Sequence, residues 1–239
     1  MSINHVVYDG QVLIDLTEDT ITPEALLAGH TAHDKSGQKI TGTLEVPKFL
    51  PLTFIQSSGT QYIDTDFVPN QDTRIDIVIQ LSDNESATVA GVDESWITNA
   101  FAIFSNVAEY GSGSLAGTFY GSSIVTVSLN KNKLYKNGTL LSTGTYKQFN
   151  APCSLTLFAL NRNGDVREYS SMNLYQCQIY DNGELVRDFS PVMLLTGEVG
   201  LWDSVNNKFY GNAGTGTFGG GVGDITSTLD YTQEDSMAL

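Results

Sequence analysis

From Asn173 to Phe218 the chain reads NLYQCQIYDNGELVRDFSPVMLLTGEVGLWDSVNNKFYGNAGTGTF, and its opening third repeats its chemistry every second residue. Leu174, Gln176, Gln178 and Tyr180 alternate with Tyr175, Cys177 and Ile179 until Asp181-Asn182-Gly183 stops the pattern. A period of two belongs to extended chain with two unlike faces, and Asn-Gly at its end is a hairpin signal. Leu185 and Val186 restart the pattern, Pro191 interrupts it, and Val199 to Trp202 and Lys208 to Tyr210 read as two further strands around Asn206-Asn207. Nothing in the stretch has a helical period. It reads as the closing strands of a β-sandwich.

The same grammar runs upstream. Strands are predicted over residues 52–56, 62–64, 74–80, 86–92, 101–105, 117–120, 123–130, 133–136, 139–142, 154–160, 171–180, 184–189, 200–203 and 208–210. Turn signals separate them at Asn70-Gln71-Asp72, Lys136-Asn137-Gly138, Asn163-Gly164-Asp165 and Asn182-Gly183,. Charged residues make up only 16% of the chain, and 41% hydrophobic content with 23 glycines suits strands and tight turns,. An all-β fold of two antiparallel sheets follows.

Three separated segments carry a resemblance. VRDFSP (186–191), VGLWDSVNNKFYGNAGTGTF (199–218) and SSGTQYIDTDFVPNQDTRI (57–75) are together similar to the concanavalin A-like, laminin-G-like jelly-roll domains of bacteriophage and prophage virion proteins. The resemblance covers roughly residues 54–221 and implies a jelly-roll sandwich. It implies no activity, because lectins, glycanases and inert spacers share that fold.

Residues 1–48 read as a separate module. Val6-Val7-Tyr8 and Val12-Leu13-Ile14 flank Asp9-Gly10 as a small hairpin,. Thr22-Pro23-Glu24 supplies an N-cap, a first-turn proline and an acid, and Gly29 a stop, so a helix of barely two turns is predicted between them,. A second hairpin is expected around Asp34-Lys35-Ser36-Gly37,. The run from Leu13 to Leu44 resembles an N-terminal module that recurs in phage structural proteins ahead of variable C-terminal domains, which implies attachment to the particle; an ordinary αβ appendage of an oligomer is the other reading. Pro47 and Pro51 mark a stiff link to the sandwich of 49–221, and residues 222–239, with four acids and no base, read as an acidic tail after Gly219-Gly220-Gly221,.

The net charge of -15 is spread over all three parts, which would repel a phosphate backbone, so no nucleic acid partner is expected,. No apolar run approaches the roughly 20 residues that span a bilayer. The N-terminus has neither a basic start nor a signal-length apolar stretch, so synthesis in a cytoplasm without Sec export and no membrane insertion are expected. Cys153 and Cys177 have no CxxC or histidine grouping and read as two buried free thiols rather than a disulfide,.

Chemistry is sparse. His5, His30 and His33 all precede residue 49, which leaves the sandwich no imidazole for a Ser-His-Asp triad or a zinc site,. Glycosidases need paired carboxyl groups, and the Glu-x-Asp-x-x-Glu strand pattern usual in the concanavalin-like fold does not occur. The nearest approaches, Asp93-Glu94 and Asp64-x-Asp66, fall at strand ends and in loops, where exposed acids are the default. Asp64, Asp66 and Asp72 are weak candidates for a calcium ion, although neither a metal nor any other cofactor is expected. GNAGTGTFGGG lacks the lysine and helix of a phosphate loop. For sugar binding, which uses aromatic platforms beside amides and acids, Asp93, Glu94, Trp96, Asn99, Tyr110 and Tyr120 form the candidate cluster, against the alternative that Trp96 is a packing or protomer-contact residue. Trp202 reads as core.

The expectation is therefore a non-enzymatic virion surface protein, a tail-associated fibre or a head decoration, whose lectin-like domain attaches to host-surface glycans. A glycan hydrolase and a stabilising cement protein without ligand are the alternatives. Val6, Val12, Ile14, Leu16, Leu26, Leu27, Ile40 and Leu44 are too apolar a set for so small a module to leave in water, so a homo-oligomer, a trimer, or contact with other virion proteins is expected through them,.

Overall fold

The computed structural model describes residues 2–45, 48–81, 87–121 and 123–221. Pro47 of the expected link, Ser86 at the start of one expected strand, and the expected tail 222–239 lie outside them. The chain divides into two compact units, Met1–Lys48 and Phe49–Leu239.

In the first unit β1 (His5–Tyr8) and β2 (Gln11–Asp15) form an antiparallel hairpin. It turns at Asp9-Gly10, where both residues have positive φ (48° and 74°). β3 (Thr31–His33) and β4 (Lys39–Thr41) form the second hairpin around Asp34 to Gly37. The predicted helix does not form. Pro23–Ala25 makes one 3₁₀ turn, and Leu26 is already extended at φ -103° and ψ 133°. Leu27 bridges to Leu44 and Ala28 to Gly42 in parallel, so the residues that would have made a second helical turn pair their backbones elsewhere. A side chain at Gly42 would collide with the Leu26 and Leu27 carbonyls.

That unit pairs its backbone without covering its side chains. Gly42 is its one buried residue among those described. Val7, Val12, Leu13, Ile14, Leu27 and Leu44 are exposed, Leu13 at 60%, while Val6, Leu16, Ile21, Leu26 and Ile40 are half-buried.

The second unit is built of β5 (Phe49–Pro51), β6 (Phe54–Gln56), β7 (Ile63–Asp64), β8 (Arg74–Leu81), β9 (Thr88–Asp93), β10 (Ala100–Phe104), β11 (Val107–Gly111) and β12 (Gly113–Ala116). It continues with β13 (Val125–Asn130), β14 (Lys133–Lys136), β15 (Thr139–Thr143), β16 (Thr156–Leu157), β17 (Leu160–Arg162), β18 (Asp165–Arg167), β19 (Met172–Asp181), β20 (Glu184–Leu194), β21 (Val199–Asp203), β22 (Lys208–Tyr210) and β23 (Gly219–Gly221). One sheet runs β15-β14-β13-β8-β19-β20-β21-β22 and takes β5, β6 and β23 at its side. The other runs β12-β11-β10-β9-β16-β7, with β17 and β18 attached. Every pairing is antiparallel except β17 with β9. Ile75, Ile77 and Ile79 of the first sheet and Val89, Val92, Phe101 and Ile103 of the second belong to one buried cluster, an arrangement compatible with a β-sandwich.

Several strand boundaries differ from the sequence pattern, each for a local reason. On β19 the register skips Tyr175 between Leu174 and Gln176. This bulge changes phase, so Leu174, Cys177 and Ile179 share the core and Gln178 and Tyr180 the opposite face,. Pro191 does not end β20. Its carbonyl accepts from the Leu52 N–H at 2.9 Å, and β20 passes from β19, last paired at Phe189, to β5, first paired at Val192. The ring nitrogen thus faces a seam where no ladder donor is needed. The single strand predicted over 154–160 is split at Phe158, whose φ is 71°. Its buried ring, 5.0 Å from that of Phe218, holds the reversal that takes the chain from antiparallel β16 to parallel β17. No strand forms over 117–120, where Phe119 turns into the core instead. Both cysteines are free thiols, Cys177 buried and Cys153 half-buried.

Because the core cluster draws on the second unit alone, a fragment of residues 49–221 is expected to fold by itself, with a strand-dominated far-UV spectrum and one cooperative melt. A helix-rich spectrum, or no cooperative transition, would contradict this.

Candidate functional site

The side chains of β8 alternate without interruption: Ile75, Ile77, Ile79 and Leu81 are buried, and Arg74, Asp76, Val78 and Gln80 face the other way. Register with the flanking strands turns the outward set into a lattice. Thr126, Val78 and Gln176 make one row across β13, β8 and β19; Ser128, Asp76 and Gln178 make the next; Asn130, Arg74 and Tyr180 make the third. Tyr135 of β14 extends the middle row beside Ser128. Rows lie about 7 Å apart along the strands and columns about 4.8 Å apart across them. The lattice lines an open depression of about 480 Å³.

Its polar groups are held in place. Arg74 donates from Nε to Asp76 at 3.0 Å, and its guanidinium lies 4.8 Å from the centroid of the Tyr180 ring. The Tyr180 hydroxyl donates to Gln178 Oε1 at 3.0 Å, and Gln178 Nε2 donates to Asp188 at 3.1 Å. The Arg74 and Asp76 charges cancel, so the lining is neutral and offers amides, hydroxyls and the Tyr135 ring. Such a surface can hydrogen-bond an uncharged polar ligand laid across the strands.

A second cluster sits on the loop from Asp93 to Asn99. Asp93 is fully buried and takes a bidentate ion pair from Arg162, with Nε and Nη2 each 2.9 Å from a carboxylate oxygen. Arg162 lies under the Trp96 indole, 4.8 Å from the ring centroid, while Trp96 itself is 81% exposed. Trp96, Ile97 and Asn99 all have positive φ (33°, 67° and 47°), which costs of order 1–3 kcal/mol each for residues with side chains. Asn99 donates to Glu94 at 2.7 Å across the loop. Glu168 approaches Arg162 at 3.7 Å. Glu109, opposite Ala102 on β11, completes the group. Burial pushes its carboxyl up to about 7, with Asp93 and Glu168 adding to the shift and Arg162 opposing it.

The expected cluster is thus brought together in part. Asp93, Glu94, Trp96 and Asn99 share one loop. Tyr110 does not join them: it is 2% exposed, donates to the Gln71 carbonyl at 2.8 Å and meets Phe149 edge-on at 5.2 Å, because its strand turns it into the core. Tyr120 stands exposed in the segment after Phe119. Trp202 is half-buried against Phe49, with ring centroids 4.8 Å apart, rather than in the core, where its neighbour Leu201 lies. Of the calcium candidates, Asp64 accepts from the Asp66 N–H, Asp66 pairs with Lys208, and Asp72 pairs with Lys131 at 2.7 Å, which lowers the Asp72 pKa. Among the described residues no three His, Cys, Asp or Glu side chains are grouped to hold a metal ion. The lattice residues were missed because each is an ordinary outward strand position. The alternation of Arg74 to Leu81 was the signal that could have found them.

The segments that carry the resemblance serve as internal struts. Asp203 is fully buried; its carboxylate accepts from the Asp188 and Val205 N–H groups and from Asn206, and Arg187 approaches it at 3.7 Å. Gln61, 2% exposed, accepts from Ser57 and Ser58 and donates to the Thr217 carbonyl. These residues therefore fasten distant segments together. No family model matches the chain, and no curated protein matches it.

The raised Glu109 pKa sets a pH dependence. Between about pH 4.5 and 7 the folded chain keeps a proton that the unfolded chain loses, so this group's contribution to stability falls as pH rises through that window and stays low above it. Glu109→Gln is expected to stabilise the protein by about 1 kcal/mol at pH 8, allowing for partial exposure, and by almost nothing at pH 4. Urea unfolding at the two pH values measures the difference; an equal effect at both would contradict the assignment.

Proposed function

We propose that the protein is a non-enzymatic structural component of a bacteriophage virion, with a concanavalin A-like jelly roll that adheres to host-surface glycans and a first unit that attaches and oligomerises it. Either a tail-associated fibre or a head decoration fits this reading. Support for the virion setting comes from the resemblance of residues 57–75, 186–191 and 199–218, and of Leu13 to Leu44, to phage modules. Support for adhesion rests on one observation: the neutral lattice of Thr126, Ser128, Asn130, Arg74, Asp76, Gln176 and Gln178 around an open depression. Sugars present closely spaced hydroxyl groups, and amides and hydroxyls fixed at strand spacing are suited to meet them.

Binding without turnover is favoured over hydrolysis by the same lining. Asp76 is its single carboxylate and is held by Arg74, whereas the usual hydrolytic pair needs two carboxyl groups flanking the scissile bond. A cement protein without ligand would have no need of the lattice. A glycan array probed with the full chain is expected to give saturable binding that Ser128→Tyr, which fills the depression, and Gln178→Ala each weaken at least tenfold. Undiminished binding by both variants would refute the lattice as the site.

The attachment unit supports self-association. Val12, Leu13, Ile14, Leu27 and Leu44 are exposed, and apolar side chains at such density demand a cover. A second and third copy of the same chain always arrive in the right ratio, and closed symmetry is the usual solution. Light scattering is expected to give a trimer for the full chain and a monomer for residues 49–221 at micromolar concentration. Two monomers would mean that the unit docks on another virion protein.

A further inference from the structure

The loop from Asp93 to Asn99 joins β9 to β10 on the sheet that does not carry the lattice, and closing that turn does not require an exposed tryptophan at its tip. An 81% exposed tryptophan contributes little to a core,, yet three consecutive features hold it in place. Its backbone and that of Ile97 are left-handed, a conformation that a β-branched residue rarely adopts. One face of the indole rests on Arg162. Arg162 is fixed in turn by the fully buried Asp93, through two parallel hydrogen bonds,. Strain of this kind persists only where the surroundings impose it, and it concentrates at sites of recognition. Fixing the ring beforehand also removes the entropy cost of ordering it on binding.

We propose that the free face of Trp96 is a second carbohydrate subsite, one that stacks a single neutral pyranose ring. Its ligand class follows from the charges. Arg162 already occupies the other face and draws electron density from the indole, so a second cation gains little there. Among the described residues Arg162 pairs with Asp93 and approaches Glu168 at 3.7 Å, and Glu94 stands at the rim of the loop, so carboxylates outnumber this cation and the surroundings repel sialic acids, uronates and phosphorylated glycans. What remains is the apolar face of an uncharged sugar, with Glu94 and Asn99 at the rim as hydrogen-bonding groups. Trp96 would make the contact, while Arg162 and Asp93 position it. This subsite rests on the glycan-binding reading above but uses different residues on a different sheet.

The chain has two tryptophans, Trp96 and Trp202, so Trp202→Phe leaves an emission that reports on Trp96 alone. Titration of that full-length variant with cello-, malto-, manno- and chitotriose is expected to shift its emission to shorter wavelength with at least one sugar. Polysialic acid and polygalacturonate are expected to leave it unmoved. Trp96→Gly relieves the left-handed strain, so it is expected to melt no lower than the parent while losing affinity for the responding sugar about tenfold by calorimetry. The shift is also expected to survive Gln178→Ala. Sugar binding with unchanged emission, or with full affinity in Trp96→Gly, overturns this inference and leaves the lattice reading standing. An emission response to the anionic glycans overturns the charge argument and the ligand class with it. No binding of any neutral glycan overturns both.

Discussion

The alternation of Arg74 to Leu81 is the constraint on which the second unit depends. Four aliphatic side chains point into the core and four outward positions meet solvent, and β8 is hydrogen-bonded along one edge to β13 and along the other to β19. A slip of one residue would bury Arg74 and Asp76 and expose three isoleucines. Each buried aliphatic contributes about 1.5–3 kcal/mol, so the register is fixed far more firmly than any single turn could fix it. The same choice sets the outward rows, and the geometry of the lattice is therefore inherited from the core behind it.

Much of this fold was legible. Asp9-Gly10, Asn137-Gly138, Asn163-Gly164 and Asn182-Gly183 all turn with paired positive φ, because Asn or Asp followed by Gly is the cheapest way to match a hairpin to strand twist. The departures arose where long-range contacts outweighed local preference. Thr22-Pro23-Glu24 is a sound helix start, yet the following residues gain more from bridging to Gly42 and Leu44. Phe158 is left-handed because the core claims its ring, and Tyr175 is skipped because Leu174 and Cys177 both belong inside. None of these contacts leaves a trace within a window of a few residues.

The candidate sites were legible to unequal degrees. Trp96 beside Asp93, Glu94 and Asn99 stood out as an aromatic among polar groups on a loop. Its partner Arg162 did not, since 69 residues separate it from Asp93 and only the parallel pairing of β17 with β9 brings them together. Tyr110 carried the same composition signal and is a core residue, which shows how little residue type says without facing. The lattice gave no motif at all, because a binding surface made of outward strand positions differs from ordinary solvent-facing sheet only in how its columns line up.

Among its described residues the first unit covers no apolar core of its own, and the proposed self-association would change the order of its folding reaction. A domain that encloses its own apolar surface folds at a rate and to an extent independent of how many copies surround it. A unit whose leucines and valines are shielded by further copies, as proposed above, would have a stability that scales with the logarithm of chain concentration. Dilute chains would carry a finished second unit beside an incomplete first one. On the proposed self-association, the first would mature only where copies of the chain are gathered, and local chain concentration would complete it.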